Sequence, residues 1–138
     1  MIIAVDTSAL GKLLVEEAES HALRSYLSDE ARSNDEWVVS TLAVTELRRL
    51  AIRLDIDAAR ATAIVGRFRI LRLTEAMLQL AGRLPYRNLG TLDAIHVATG
   101  LSVGAVGFVT YDARQADAAA TEGLAVVSPG RPDADART

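Results

Sequence analysis

Four carboxylates in this 138-residue chain stand where chemistry is commonly done. Asp6 directly closes the apolar run from Ile2 to Val5, and Asp112 is separated by two residues from the end of the apolar run at Val109. Glu46 falls in the first two turns of a helical pattern that opens at Ser40 or Thr41, and Asp93 in the first turn of one that opens at Thr91. A lone acid there ordinarily does no more than offset the helix dipole, by ~0.3–1 kcal/mol. Four brought to one place behave differently. Two like charges ~5 Å apart repel by roughly 3 kcal/mol at an effective dielectric of 20. A carboxylate cluster therefore takes up protons or strains the fold unless a cation joins it. Hard oxygen donors select Mg²⁺, with Mn²⁺ as a substitute. The chain has no cysteine and only His21 and His96, which argues against a thiolate or imidazole-rich zinc site. Mg²⁺ keeps several waters, lowers the pKa of one of them, and offsets charge on a phosphoryl transition state. Neither GxxxxGK[ST] nor GxGxxG occurs, so phosphodiester hydrolysis fits better than nucleoside triphosphate or dinucleotide chemistry.

Stepping along the chain, strand-length apolar runs alternate with helical patterns. Strands are expected at Ile2–Val5, Trp37–Ser40, Phe68–Leu73, Val106–Thr110 and Leu124–Val127. Helices are expected from Ser8 to Val15, Ser20 to Ala31, Ser40 or Thr41 through Leu54, Asp57 to Val65, Thr74 to just before Pro85, Thr91 to Val103, and Asp112 to Glu122. Such alternation predicts an α/β fold, a three-layer sandwich with a central parallel sheet of about five strands flanked by helices. Sheets of this kind bind ligands beyond the carboxyl ends of their strands. All four acids fall at that edge.

Length and composition agree with one compact unit. Half the residues are hydrophobic and 24% are charged, a globular balance. Residues 1–128 are expected to form a single domain. Residues 129–138 are expected to be a flexible tail, since PGRPDADART has almost nothing to bury. MIIAVDTSAL lacks a basic segment and no apolar run approaches ~20 residues, so neither a secretory signal nor a membrane span is expected, and a cytoplasmic location fits. The net charge is −3, yet the stretch from Arg48 to Arg87 holds nine arginines against Asp55, Asp57 and Glu75. That stretch carries +6 and the remainder −9, which reads either as solvated helix surface or as a positive flank beside an acidic centre.

The segments VDTSAL, TLAVTELRR, TLDAIHVATGL and FVTYDARQADAA, in this order and spacing, resemble the PIN-domain family. Within it the resemblance is to the VapC-type ribonuclease toxins of prokaryotic toxin–antitoxin pairs, and it covers about residues 1 to 128. The resemblance implies an acidic pocket that binds Mg²⁺ or Mn²⁺ and hydrolyses RNA. It also implies inhibition by a cognate VapB-type antitoxin and a homodimer. Carried over, Asp6 and Asp93 are the direct metal ligands, while Glu46 and Asp112 bind through water or orient the nucleophile. Thr7, Ser8 and Thr110 position a water or phosphate, or only form turns. One departure is VATGL where the family often has LATAL. Gly100 in a helix costs about 1 kcal/mol relative to alanine, and either permits close packing or weakens the helix.

Other residues carry competing readings. His96, one turn beyond Asp93, hydrogen-bonds that aspartate, touches RNA, or is a packing or surface histidine, the last being the more ordinary role. Lys12, the only lysine, is expected to be solvated. Arg48 and Arg49 are positioned to pair with an acid or reach substrate. Asp117 is rotated away from Asp112 and is peripheral. An aspartyl-phosphate phosphotransferase is disfavoured because DTSAL lacks a second aspartate. The alternative to the nuclease is a non-catalytic PIN-like RNA- or protein-binding domain.

Overall fold

The computed structural model describes residues 1–132. Five strands, β1 (Ile2–Val5), β2 (Glu36–Ser40), β3 (Arg69–Leu71), β4 (Gly107–Val109) and β5 (Ala125–Val127), form one sheet in the order β3-β2-β1-β4-β5. Every pairing is parallel. The connections are helical: α1 (Thr7–Leu14) and α2 (Ser20–Leu27), then α3 (Thr41–Arg53) and α4 (Ala58–Val65), then α5 (Glu75–Arg83) and α6 (Thr91–Ser102), then α7 (Ala113–Thr121). The expected three-layer α/β sandwich is what forms.

Alternation along the strands divides the core in two. Ile3, Val5, Val39 and Val109 point to one face, where Leu10, Leu14, Leu23, Leu47 and Ile64 from α1–α4 cover them. Ala4, Val38, Phe108 and Val126 point to the other, covered by Val97 of α6 and Ala116 and Ala119 of α7. Both faces of the sheet are covered by apolar side chains, so the strands read as apolar runs.

Boundaries depart from expectation for identifiable reasons. Asp6, not Ser8, caps α1: its Oδ1 accepts the Ala9 N–H at 3.1 Å. Gly90, with no side chain to contribute, precedes α6 in place of the expected Thr91 cap. The helix from Ser20 stops at Leu27, because Asp29 takes the Ala31 N–H and starts a separate 3₁₀ turn at Glu30–Arg32. β3 is three residues rather than six, since its only partner, β2, turns into a helix after Ser40, the residue opposite Leu71. Ser128, at the end of the expected domain, and Pro129 and Arg131, at the start of the expected tail, are hydrogen-bonded to the Thr110–Tyr111 segment. Ser128 Oγ donates to the Thr110 carbonyl at 2.5 Å, Tyr111 Oη donates to the Pro129 carbonyl at 2.7 Å, and Arg131 Nη1 donates to the Tyr111 carbonyl at 2.7 Å. Polar anchoring replaces the missing apolar burial. Residues 133–138 of that expected tail lie outside the described residues.

Candidate active site

Chain order reverses between β1 and β4, which are neighbours in space. A cleft at the carboxyl edge of a parallel sheet opens at such a reversal. Here the Asp6 N–H donates to the Val109 carbonyl at 3.1 Å, tying the end of β1 to the end of β4. Asp6 and the Thr110–Asp112 turn are therefore joined by backbone geometry before any side chain acts.

Asp6 is wholly buried. Its Oδ1 accepts from Ser8 Oγ at 2.7 Å and from the Ala9 N–H, and its Oδ2 accepts from Thr110 Oγ1 at 2.7 Å. Burial pushes the carboxyl up; those hydrogen bonds and the nearby His96 act downward without overcoming it. The two hydroxyls also bind the turn. Ser8 Oγ accepts the Tyr111 N–H at 2.9 Å, and Thr110 Oγ1 accepts the Asp112 N–H at 3.0 Å. Ser8 and Thr110 thus staple Asp6 to the turn that presents Asp112. The turn is held from behind by Tyr111, whose ring lies 4.9 Å from Lys12 Nζ and 5.1 Å from the Arg131 guanidinium.

Glu46 sits one turn into α3. Its Oε1 accepts from Thr7 Oγ1 at 2.7 Å and from His96 Nε2 at 2.5 Å. Burial acts upward on this carboxyl, but the His96 and Thr7 hydrogen bonds outweigh it and hold it below the usual range. His96 is neither a surface nor a merely packing histidine. It is buried, with Ser40 Oγ 3.5 Å from Nδ1, and it bonds Glu46 across the helix interface rather than Asp93 on its own helix. Thr7 reaches the same glutamate, so its role is to hold an acid.

Asp93 occupies the first turn of α6 and is partly exposed. Burial and the Asp112 charge push its carboxyl up, Glu46 adds to this, and His96 and Arg114 oppose it. Its Oδ1 accepts from Gln115 Nε2 at 3.0 Å. Asp112 caps α7, accepting the N–H groups of Arg114 at 2.9 Å and Gln115 at 3.1 Å. The fold thus gathers all four acids at one edge, where Asp93 feels both Asp112 and Glu46.

Among the described residues, no three acidic or histidine side chains stand as a ready-made ligand set for a metal. Each acid is instead turned onto protein donors. The donor chemistry nonetheless fits a hard cation: the groups are carboxylate oxygens, and mutual repulsion bears on Asp93. Gln115 adds a second sign, since its buried Oε1 has no hydrogen-bond partner beside that carboxylate. A buried orphan acceptor costs about 1–3 kcal/mol, and a proton of a cation-bound water would relieve it.

Gln115 was missed at the sequence level. Its spacing from Asp112 is that of a capping box, in which the third helical residue reaches back to the cap's N–H. Thr110 already satisfies that N–H, which frees Gln115 for Asp93. Lys12 is another correction. It is buried, with Nζ 3.0 Å from both Glu17 and Glu19, because α1 packs it against Tyr111. It is spent on structure. Arg48 and Arg49 are exposed on α3, as are all nine arginines of the basic stretch.

Comparison with known proteins bears on this arrangement. The family model of the PIN domain matches residues 3–121, and the chain belongs to that family. Ribonuclease VapC46 of Mycobacterium tuberculosis is 42% identical over 130 residues, covering 92% of this chain and 97% of that protein. Among solved structures, VapC20 of Mycobacterium tuberculosis, described as a Sarcin-Ricin loop cleaving toxin, aligns with a TM-score of 0.68 at 20% identity, covering 86% of this chain and 95% of that one. VapBC-1 from nontypeable Haemophilus influenzae aligns with a TM-score of 0.70 at 20% identity over 91% and 96% of the two chains. Among the described residues no helix is long and apolar enough to cross a membrane.

Proposed function

We propose that this chain is a Mg²⁺-dependent endoribonuclease, the toxin of a toxin–antitoxin pair, held inactive by a cognate VapB-type antitoxin and acting as a homodimer. The observation that carries the chemistry is the gathering of Asp6, Glu46, Asp93 and Asp112 at the β1–β4 edge, with Asp93 held above the ordinary carboxylate range by burial and by Asp112. The choice of RNA follows the ribonuclease named at 42% identity, and the choice of partner follows the VapBC assembly that shares the fold.

In this reading Asp6 and Asp93 hold the cation, and Glu46 and Asp112 hold or orient its waters. When bound, Mg²⁺ supplies charge for the developing phosphoryl oxyanion and lowers the pKa of an attacking water. The chain's own residues do the rest. His96 and Thr7 fix the rotamer of Glu46 and keep it ionised, so that it can accept a water's proton. Ser8 and Thr110 fix Asp6 and set the Asp112 turn. Gln115 orients Asp93 and leaves its amide oxygen free for a water proton.

The test is cleavage of RNA by purified protein with Mg²⁺, repeated in EDTA and with Asp93→Asn. Cleavage is expected to require the cation and to be lost in the variant. Unchanged cleavage in both controls sinks the metal–carboxylate mechanism. RNA binding without any cleavage favours a non-catalytic domain.

A further inference from the structure

Near the acids lies a groove of about 370 Å³ whose rim carries two arginines. One wall is the loop Pro85–Leu89, and the other is α7, with exposed Arg114, Asp117 and Thr121 above buried Ala118. Each wall runs directly into a site acid. Leu89 is four residues before Asp93, and Arg114 is two residues after Asp112. Arg114 is close enough that its charge acts on Asp93. The groove therefore adjoins the acidic centre at Arg114, although none of the four acids lines it.

Its lining has the parts that hold one unstacked nucleotide. Arg87 and Arg114 supply two cations suited to phosphate, whose planar forks match its oxygens. Tyr86 supplies an aromatic face. Its Oη donates to Glu122 Oε2 at 2.7 Å, tying the ring to the far end of α7 and fixing its orientation. Asn88 supplies an amide donor and acceptor of the kind that read a base edge, whereas Thr121 Oγ1 already donates to the Asp117 carbonyl at 2.8 Å. The neighbouring cavity of about 420 Å³ shares Tyr86 and Leu89, but no charged side chain lines it to meet a phosphate.

We propose that this groove is a nucleotide subsite for single-stranded RNA flanking the cleaved bond. Arg87 and Arg114 bind a phosphate, and the base packs on Tyr86 beside Asn88. The proposal rests on the ribonuclease reading above and adds the place where the substrate strand is gripped and sequence preference arises.

The experiment measures KM, kcat and salt dependence for Arg87→Gln, Arg114→Gln, Tyr86→Ala and Tyr86→Phe. Arg67→Gln is the charge control, since Arg67 precedes β3 at the opposite, amino-terminal edge of the sheet. Binding of a short single-stranded RNA is measured in parallel on the Asp93→Asn background. Arg87→Gln is expected to raise KM about tenfold with a smaller change in kcat. It should also reduce the slope of log binding against log salt by ~0.7, the release expected for one phosphate contact on a single strand. Tyr86→Ala is expected to broaden the preference for one flanking base and weaken binding about tenfold, while Tyr86→Phe, which keeps the ring but loses the Glu122 tie, keeps the preference and weakens binding less than about threefold. If RNA is cleaved but the Arg87, Arg114 and Tyr86→Ala variants all follow Arg67→Gln, the subsite falls and the ribonuclease reading stands. If the wild-type chain neither binds nor cleaves RNA, both fall. If the arginine variants weaken only a protein partner, the groove is a protein interface and the subsite falls.

Discussion

Asp6 and Asp93 belong to the same row of carboxylates but are built as opposites. Asp6 is sealed from solvent, and its oxygens take three protein donors. Asp93 is partly exposed, takes one side-chain donor, Gln115, and faces the charges of Asp112 and Glu46. Desolvation raises both, yet only at Asp93 does like-charge repulsion add to it. The difference is instructive. At the closed end the acid organises the fold, because α1, the Ser8 hydroxyl and the Asp112 turn all hang on it. At the open end the acid is held at an electrostatic cost that His96, Arg114 and Gln115 offset only in part, and there a cation gains most.

The largest expected effect separates the two ends by activity against stability. Asp93→Asn should lower kcat by roughly 10²–10³, the scale for losing one preorganised electrostatic contact to the reacting groups. It should leave stability unchanged or raise it by no more than about 1 kcal/mol, because a screened repulsion is removed. Asp6→Ala should abolish activity too, and also destabilise the protein by about 3 kcal/mol. It strands the Ser8 and Thr110 hydroxyls and the Ala9 N–H in a buried place. RNA cleavage and urea midpoints read both quantities. Equal destabilisation by the two variants would erase the distinction.

Acid titration sharpens the comparison further. Asp6 and Asp93 have folded-state pKa values above the ordinary 3.8. The folded chain therefore binds their protons more tightly than the unfolded chain does. Their contribution to stability is full below 3.8 and is lost as pH rises through the folded values. Glu46 has the opposite sign. Its folded pKa lies below the ordinary 4.5, so it stabilises above 4.5, and this is lost as pH falls through the folded value. In EDTA, Asp93→Asn should gain on the wild type as pH rises, and Glu46→Gln should gain on it as pH falls. A cation prefers the ionised carboxylates, so Mg²⁺ should stabilise the wild type increasingly as pH rises. Equal stabilisation by Mg²⁺ at every pH would count against these acids as its ligands.

Much of this was legible from residue pattern, and the exceptions share a cause. Ile2–Val5 followed by Asp6, and Thr91 followed by Asp93, are local signals, and the alternation of short apolar runs with helical periods yields the parallel sheet. Strand order is not local. That β4 lies beside β1 depends on packing among distant segments, and it is what joins Asp6 to Thr110. The same limit hid His96 and Gln115, whose partners are 50 and 22 residues away. It also hid Lys12, whose burial depends on Tyr111 and on residues 128–131 closing over that ring. Side chains whose role is to hold another side chain leave no periodic trace in the chain that carries them.

The smallest effect tests what keeps the closed and open ends in register. Gly100 of α6 packs on β1, so that a Cβ placed there would lie 3.2 Å from Ala4 Cβ and 3.6 Å from Phe108 Cδ2. Of its two readings, close packing is the one the geometry supports. Gly100→Ala should gain up to about 1 kcal/mol in helix propensity. Against this, Ala4 has no rotamer with which to yield, so α6 and β1 must separate by a few tenths of an ångström. Overpacking of this kind typically costs about 1–3 kcal/mol and should win, leaving a net loss of about 1 kcal/mol. The displacement matters more than the energy, because β1 ends at Asp6 while α6 carries Asp93 and His96. Cleavage should fall about three- to tenfold as that spacing opens. A variant that is more stable and equally active would mean that the spacing between the two acids is set elsewhere, by the Thr110 turn and Gln115 rather than by the contact of α6 with the sheet.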